Sequence, residues 1–156
     1  MYKINIAVLF GGCSEEHTVS IKSAIELAAN IDTEKYQPFY IGITKSGIWK
    51  LCEKPCLNWE QNAKYPVVFS PCRNTHGFLI QKEDGYETQH IDAVFPIIHG
   101  KFGEDGSIQG LLELSGIPYV GCDIQSSVIC MDKSLAYITV KNAGIEVPDF
   151  QIIQDG

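Results

Sequence analysis

Basic charge is scarce in this chain: 12 lysines and arginines stand against 19 aspartates and glutamates, a net charge of −7. No stretch gathers the clustered cations that phosphate backbones need, so a nucleic-acid partner is disfavoured. No apolar run approaches the roughly 20 residues of a membrane-crossing helix. The early apolar run Ile6–Phe10 is too short for a signal-peptide core and lacks a small-residue cleavage site. The expectations are a cytoplasmic location and no membrane contact. Low-complexity segments and internal repeats are missing too. No C-x-x-C pair and no H-E-x-x-H pattern occurs. Cys13, Cys52, Cys56, Cys72, Cys122 and Cys130 are even in number, yet a cytosolic chain with a proper core does not need disulfides. Six thiols, without a structural zinc site, are expected. Two nucleotide signatures are also missing. No Gly-Lys-Ser/Thr follows the first glycine pair, and no G-x-G-x-x-G follows any apolar run, which disfavours a dinucleotide-binding domain.

What is present is a 45% apolar composition over 156 residues, enough for one domain or for one domain and the start of a second. Ile4–Phe10 reads as a buried strand stopped by Gly11-Gly12. The period then changes. Ile21, Ala24, Ile25 and Ala28 fall at i, i+3, i+4 and i+7, which predicts an amphipathic helix with Ser14 as its N-cap and Glu15 and Glu16 in its first turn. Tyr36–Thr44 is a second strand, with Pro38 at an edge or early position. Lys45-Ser46-Gly47 is a turn, and Ile48–Leu51 returns as a hairpin arm. Val67–Phe69 and Phe78–Ile80 are short strands, and Asp84-Gly85 signals a hairpin. Ala93–Ile98 is a further strand, after which a glycine-rich loop leads to a helix opened by Ser107 and capped by Gly116. Pro118–Val120 is a short strand. Asp132 or Ser134 caps a last helix to about Asn142, and Phe150–Ile153 starts another strand. Strand–helix alternation implies an α/β fold with an open, mostly parallel sheet and helices on both faces. Ligands of such sheets sit at the carboxyl ends of the strands, where both glycine-rich turns fall.

Three constellations could carry chemistry. In Gly11-Gly12-Cys13-Ser14-Glu15-Glu16, a carboxylate at a helix start beside a strand end could hold an ammonium group, or could merely complement the helix dipole. In His99-Gly100-Lys101-Phe102-Gly103-Glu104-Asp105-Gly106-Ser107-Ile108-Gln109-Gly110, the histidine could donate to a bound oxyanion or could fix its own loop. In Met131-Asp132-Lys133-Ser134, the lysine opposes the helix dipole, which hints at an anionic partner; a solvated surface lysine is the plainer alternative.

Together these motifs resemble the D-alanine–D-alanine ligase family. The run at 99–110 matches that family's His-Gly-x-x-Gly-Glu-Asp-Gly-x-Ile-Gln-Gly signature; Gly-Gly-x-Ser-x-Glu at 11–16 with Val19-Ser20, and Met131-Asp132-Lys133, match as well. The resemblance covers the whole chain. Within the family it is strongest to the vancomycin-resistance ligases that make D-alanyl-D-lactate, through Phe10–Val19, Ile41–Gly47 and Gly116–Leu135.

The resemblance implies an N-terminal substrate-binding α/β domain over residues 1–121, of the kind that precedes an ATP-grasp. The first elements of the central ATP-grasp domain would then occupy 122–156. It implies that Glu16 anchors the amino group of the first D-alanine, that His99 contacts the substrate beside it, that Ser20 and Gly100 also bind substrate, and that Lys133 reaches the phosphates of ATP. Glu16 and His99 are the catalytic candidates. An acyl phosphate forms and a second D-configured substrate attacks it. The Mg²⁺ ligands and the loop that tells lactate from amine substrates lie outside this stretch in the family, so it is expected to be inactive alone. The family dimerises largely through this domain, which implies a homodimer. D-alanine–D-alanine or D-alanine–D-serine ligation, or a non-catalytic dimerisation or binding module, are the alternatives.

Overall fold

The computed structural model describes residues 3–153. The chain runs β1 (Ile4–Gly11), α1 (His17–Asn30), β2 (Tyr36–Ile43), β3 (Trp49–Cys52), α2 (Trp59–Asn62), β4 (Tyr65–Phe69), β5 (Gly77–Lys82), β6 (Gly85–His90), β7 (Ala93–Pro96), α3 (Ser107–Ser115), α4 (Ile124–Met131) and α5 (Lys133–Asn142). The strands form one open sheet in the order β6-β5-β4-β3-β2-β1-β7. Only β2-β1-β7 is parallel. The remaining pairings are antiparallel, so the expectation of a mostly parallel sheet is corrected to a mixed one. The reason lies in the connections. A parallel neighbour needs a long crossover, which α1 supplies between β1 and β2, whereas β2–β3 and β5–β6 are joined by short turns that can only fold back.

Alternation along β1 builds two cores. Ala7 and Leu9 face a cluster containing Ile41, Ile43, Phe78, Ile98 and, from α3, Ile108 and Leu112. Ile6, Val8 and Phe10 face the other way, onto Ile21 and Ala24 of α1 and onto Trp59 of α2. Helices therefore cover both faces. Trp59 is 1% exposed and meets Phe10 edge-on at 5.2 Å. It lies so close over β2 that a Cβ on Gly42 would come within 2.4 Å of its ring.

Several local expectations hold. Pro38 sits early in β2, before β3 begins to pair at Tyr40, so its missing N–H disrupts no ladder on that side. Gly47 turns with φ 85°, and β3 returns along β2. Gly116 closes α3 in the left-handed region at φ 71°. Asp132 caps α5, its carboxylate accepting the N–H groups of Ser134 and Leu135 at 2.8 and 3.1 Å. Others change. Ser14 is not the cap of α1; Glu16 occupies that position without a side-chain cap bond, and Glu15 and Glu16 precede the helix. Pro118–Val120 is reduced to a bridge between Tyr119 and Val94. Phe150–Ile153 is not a strand, because no described strand lies beside it to complete a ladder. The helices α2 and α4 had no clear apolar period to announce them. Among the described residues, no helix is long and apolar enough to cross a membrane.

All six cysteines are free thiols. Burial, with the neighbouring Cys56 adding to it, pushes the Cys52 thiol up to about 12. Cys72 is held below its ordinary value by the N–H groups of Asn74 and Thr75. Alkylation is carried by the thiolate. At neutral pH, iodoacetamide should therefore label Cys72 first and Cys52 last, the latter only after unfolding; peptide mapping over time reads the order, and early loss of the Cys52 thiol would contradict it. The packing of Trp59 gives a second expectation. Gly42→Ala should destabilise the chain by about 1–3 kcal/mol, the usual cost of overpacking, as a lower urea midpoint with an unchanged slope. An unchanged midpoint would mean that Trp59 is not seated on β2.

Candidate functional site

The site grows from the adjacent, parallel strands β1 and β7, which both end on the same side of the sheet. Gly11 and Gly12 turn the chain out of β1 with φ of 86° and 101°. A side chain does not fit at Gly11, since its Cβ would lie 2.3 Å from the Ile43 carbonyl oxygen. After β7, Gly100 turns with φ 74°. The strand ends are tied beneath these turns. Ser20, fully buried on α1, accepts the Gly11 N–H at 2.8 Å and donates to the Ile97 carbonyl at 2.6 Å. His17, also buried, donates through Nδ1 to the Gly12 carbonyl at 2.7 Å. Ser14 crosses between the turns and donates to the His99 carbonyl at 2.7 Å.

This stitching puts Glu16 and His99 at one edge. A Cβ on Gly100 would meet Glu16 Oε2 at 2.5 Å, so the glycine is the reason the carboxylate can lie over the second turn. Glu16 is exposed. The His99 ring is held on both sides. Its Nε2 lies 3.2 Å from Ser23 Oγ, and its Nδ1 lies 3.8 Å from Glu104 Oε1. The other oxygen of Glu104 accepts the Gly100 N–H at 2.7 Å. Asp105 closes the loop. Burial opposes its ionisation, but the N–H groups of Phe102 and Ser107 outweigh that and hold the carboxyl below its ordinary range. Gln109 donates to the Gly103 carbonyl at 2.9 Å from the first turn of α3. A cleft of about 320 Å³ opens beside His99, walled by Gly103, Glu104, Gln109, Ser127 and Cys130.

Glu16, His99 and Gly100 are therefore brought together. Ser20 lies near them in space, but the expectation that it contacts substrate is corrected: it is 0% exposed and both its hydrogen-bonding roles are taken by the backbone. Lys133 stands apart at the start of α5, exposed, and no hydrogen bond or ion pair among the described residues joins it to Glu16 or His99. No group of three or more His, Cys, Asp or Glu side chains among the described residues is arranged to hold a metal ion. Sequence reasoning missed His17, Ser23 and Glu104. A signal existed. His17, Ser20 and Ser23 fall three apart on α1 and so form a polar row beside its apolar stripe.

The chain is similar to known proteins along almost its whole length. The family described as D-ala D-ala ligase N-terminus matches residues 5–122. The vancomycin B-type resistance protein VanB of Enterococcus faecalis is 69% identical over all of this chain and 45% of its own length. A putative D-alanine–D-lactate ligase of Streptomyces coelicolor is 57% identical over 96% of this chain and 43% of its own. The chain thus spans about half the length of these relatives. Among solved structures, the VanG D-Ala:D-Ser ligase of Enterococcus faecalis superposes with a TM-score of 0.86, at 44% identity, covering 95% of this chain and 44% of that one. A D-alanine–D-alanine ligase of Bacillus anthracis, solved complexed with ATP, gives a TM-score of 0.62 at 33% identity, covering 96% and 38%. With its signature loops folded together at one strand edge and its family match running from β1 to just before α4, the chain belongs to the D-ala D-ala ligase N-terminus family.

Proposed function

We propose that this chain is the N-terminal part of an ATP-dependent D-alanine–D-lactate ligase, which makes a peptidoglycan precursor terminus and thereby confers vancomycin resistance. The single observation that carries the site is the Glu16 carboxylate lying over Gly100, the residue that follows His99 in the second turn. The choice of D-lactate rests on likeness to VanB and to the Streptomyces ligase. The likeness to VanG keeps D-serine as the alternative second substrate.

In this reading Glu16 accepts the ammonium of the first D-alanine, and the glycine turns leave room for that small substrate above the strand ends. His99 precedes Gly100 in the second turn and would hold the substrate in place from there. Fixing the amino group directs the carboxylate outward in one orientation, which removes much of the entropic barrier to the joining step. ATP, when bound, would activate that carboxylate by phosphoryl transfer. Of the residues named here only Lys133 would reach it, as one charge at the start of α5. In this reading the nucleotide pocket and the Mg²⁺ ligands belong to the rest of the ligase. We assign residues 1–121 to the substrate-binding domain and 122–156 to the opening of the ATP-grasp domain. The exposed Leu135, Ile138 and Ile145 on and after α5 support that boundary, since they await a partner surface. A cytoplasmic homodimer is the corresponding assembly.

The test uses the complete ligase. Glu16→Gln keeps the size of the side chain and removes its charge. Leaving an ammonium without its counter-ion in a closed site commonly costs about 2–5 kcal/mol, so kcat/KM for the first D-alanine should fall about thirtyfold or more, with the melting temperature unchanged. Glu15→Gln should change little. Ser20→Ala should behave oppositely, lowering stability by about 1–3 kcal/mol because two buried backbone groups lose their partner. A crippled Glu15→Gln beside a normal Glu16→Gln would move the site by one residue, and two normal enzymes would reduce both carboxylates to partners of the helix dipole.

A further inference from the structure

His99 lies in the signature loop, but its ring is held partly from another element of the chain. Ser23 sits one turn beyond Ser20 on α1, half-buried, with Oγ 3.2 Å from His99 Nε2. On the opposite side of the ring Glu104 Oε1 is 3.8 Å from Nδ1, and its carboxylate is fixed in turn by the Gly100 N–H. Glu104 selects the tautomer, and the serine hydroxyl, able to donate or accept, follows it. A carboxylate favours a proton on the nitrogen that faces it and repels a lone pair there. That places the proton on Nδ1 and leaves the Nε2 lone pair to accept from a donor. The serine hydroxyl is such a donor, free to rotate into line. Without it, Nε2 would face a half-buried space with no partner, and the ring could turn over about χ2 and bring either edge toward Glu104.

We infer that Ser23 is a positioning residue for His99: its hydroxyl holds Nε2 and so fixes the ring, with Nδ1–H toward Glu104, before substrate arrives. This inference rests on the reading of His99 as part of the D-alanine site for its functional meaning, but its geometry stands apart from that reading. Ser23 itself need not touch substrate. Its part is to keep the imidazole edge beside Gly100 and the Glu16 carboxylate in one orientation. The helix α1 thus supplies both the support of the first turn, through Ser20, and the support of the second, through Ser23.

The test is a long-range ¹H–¹⁵N spectrum of the complete ligase above neutral pH, with ¹⁵N-labelled histidine and the His99 signals assigned by their loss in His99→Asn. The wild-type chain should show His99 predominantly as the Nδ1–H tautomer. Ser23→Ala should shift the tautomer ratio by about three- to tenfold toward Nε2–H, the size expected for one neutral hydrogen bond. Ser23→Thr, which keeps the hydroxyl, should restore the wild-type ratio, and this separates loss of the bond from loss of packing. A wild-type ring already in the Nε2–H form, or a ratio that Ser23→Ala leaves unchanged, would overturn the inference. The Glu16→Gln kinetics decide the D-alanine reading without touching this ratio, so the two can fail separately.

Discussion

The buried hydroxyl of Ser20 accepts the Gly11 N–H at 2.8 Å and donates to the Ile97 carbonyl at 2.6 Å, joining the ends of two parallel strands from above. Parallel strands finish on the same side of a sheet, but their last backbone groups have no ladder partner there. One helix side chain satisfies a donor on one strand and an acceptor on the other. The two glycine turns are then fixed relative to each other, so Glu16 beside the first turn and His99 beside the second share an edge. The Ser14 bond to the His99 carbonyl and the His17 bond to the Gly12 carbonyl strengthen the same junction.

Backbone conformation is the second constraint. Gly11, Gly12 and Gly100 all adopt positive φ, and at each of the three a side chain would strike a neighbour as well. The space these glycines leave is shaped by the group that fills it: at Gly100, a carboxylate oxygen of Glu16. In the proposed reading, the room for a small amino acid comes largely from missing side chains, with a few charged groups beside it. The antiparallel half of the sheet, β3 to β6, takes no part in this junction; its Phe69, Phe78 and Ile80 extend the core that underlies β1.

Much of this was legible in the sequence, and the limits have physical causes. The strands β1, β2 and β7 carry short apolar runs ended by glycine, and α1 carries a clean 3.6-residue period, so the half of the fold that builds the site could be read. The antiparallel half was less accessible, because strand direction depends on pairing and not on local pattern. Glu15 and Glu16 stood beside one glycine turn and His99 beside the other, and only the family resemblance singled out Glu16. Ser20 could not be sorted from a ligand contact, since a buried serine that bridges backbone and an exposed one that meets substrate look alike in sequence. The tie from Ser23 to His99 spans 76 residues and leaves no local trace.

The central claim is that Glu16 and His99 act on one substrate from adjoining turns. It is tested most directly by a double-mutant cycle in the complete ligase, measuring kcat/KM for the first D-alanine in Glu16→Gln, His99→Asn and the pair. A shared site predicts that the two losses fail to add, with a coupling of about 0.5–3 kcal/mol. Losses that add to within the error of the measurement would contradict it and would place the two side chains in separate functions.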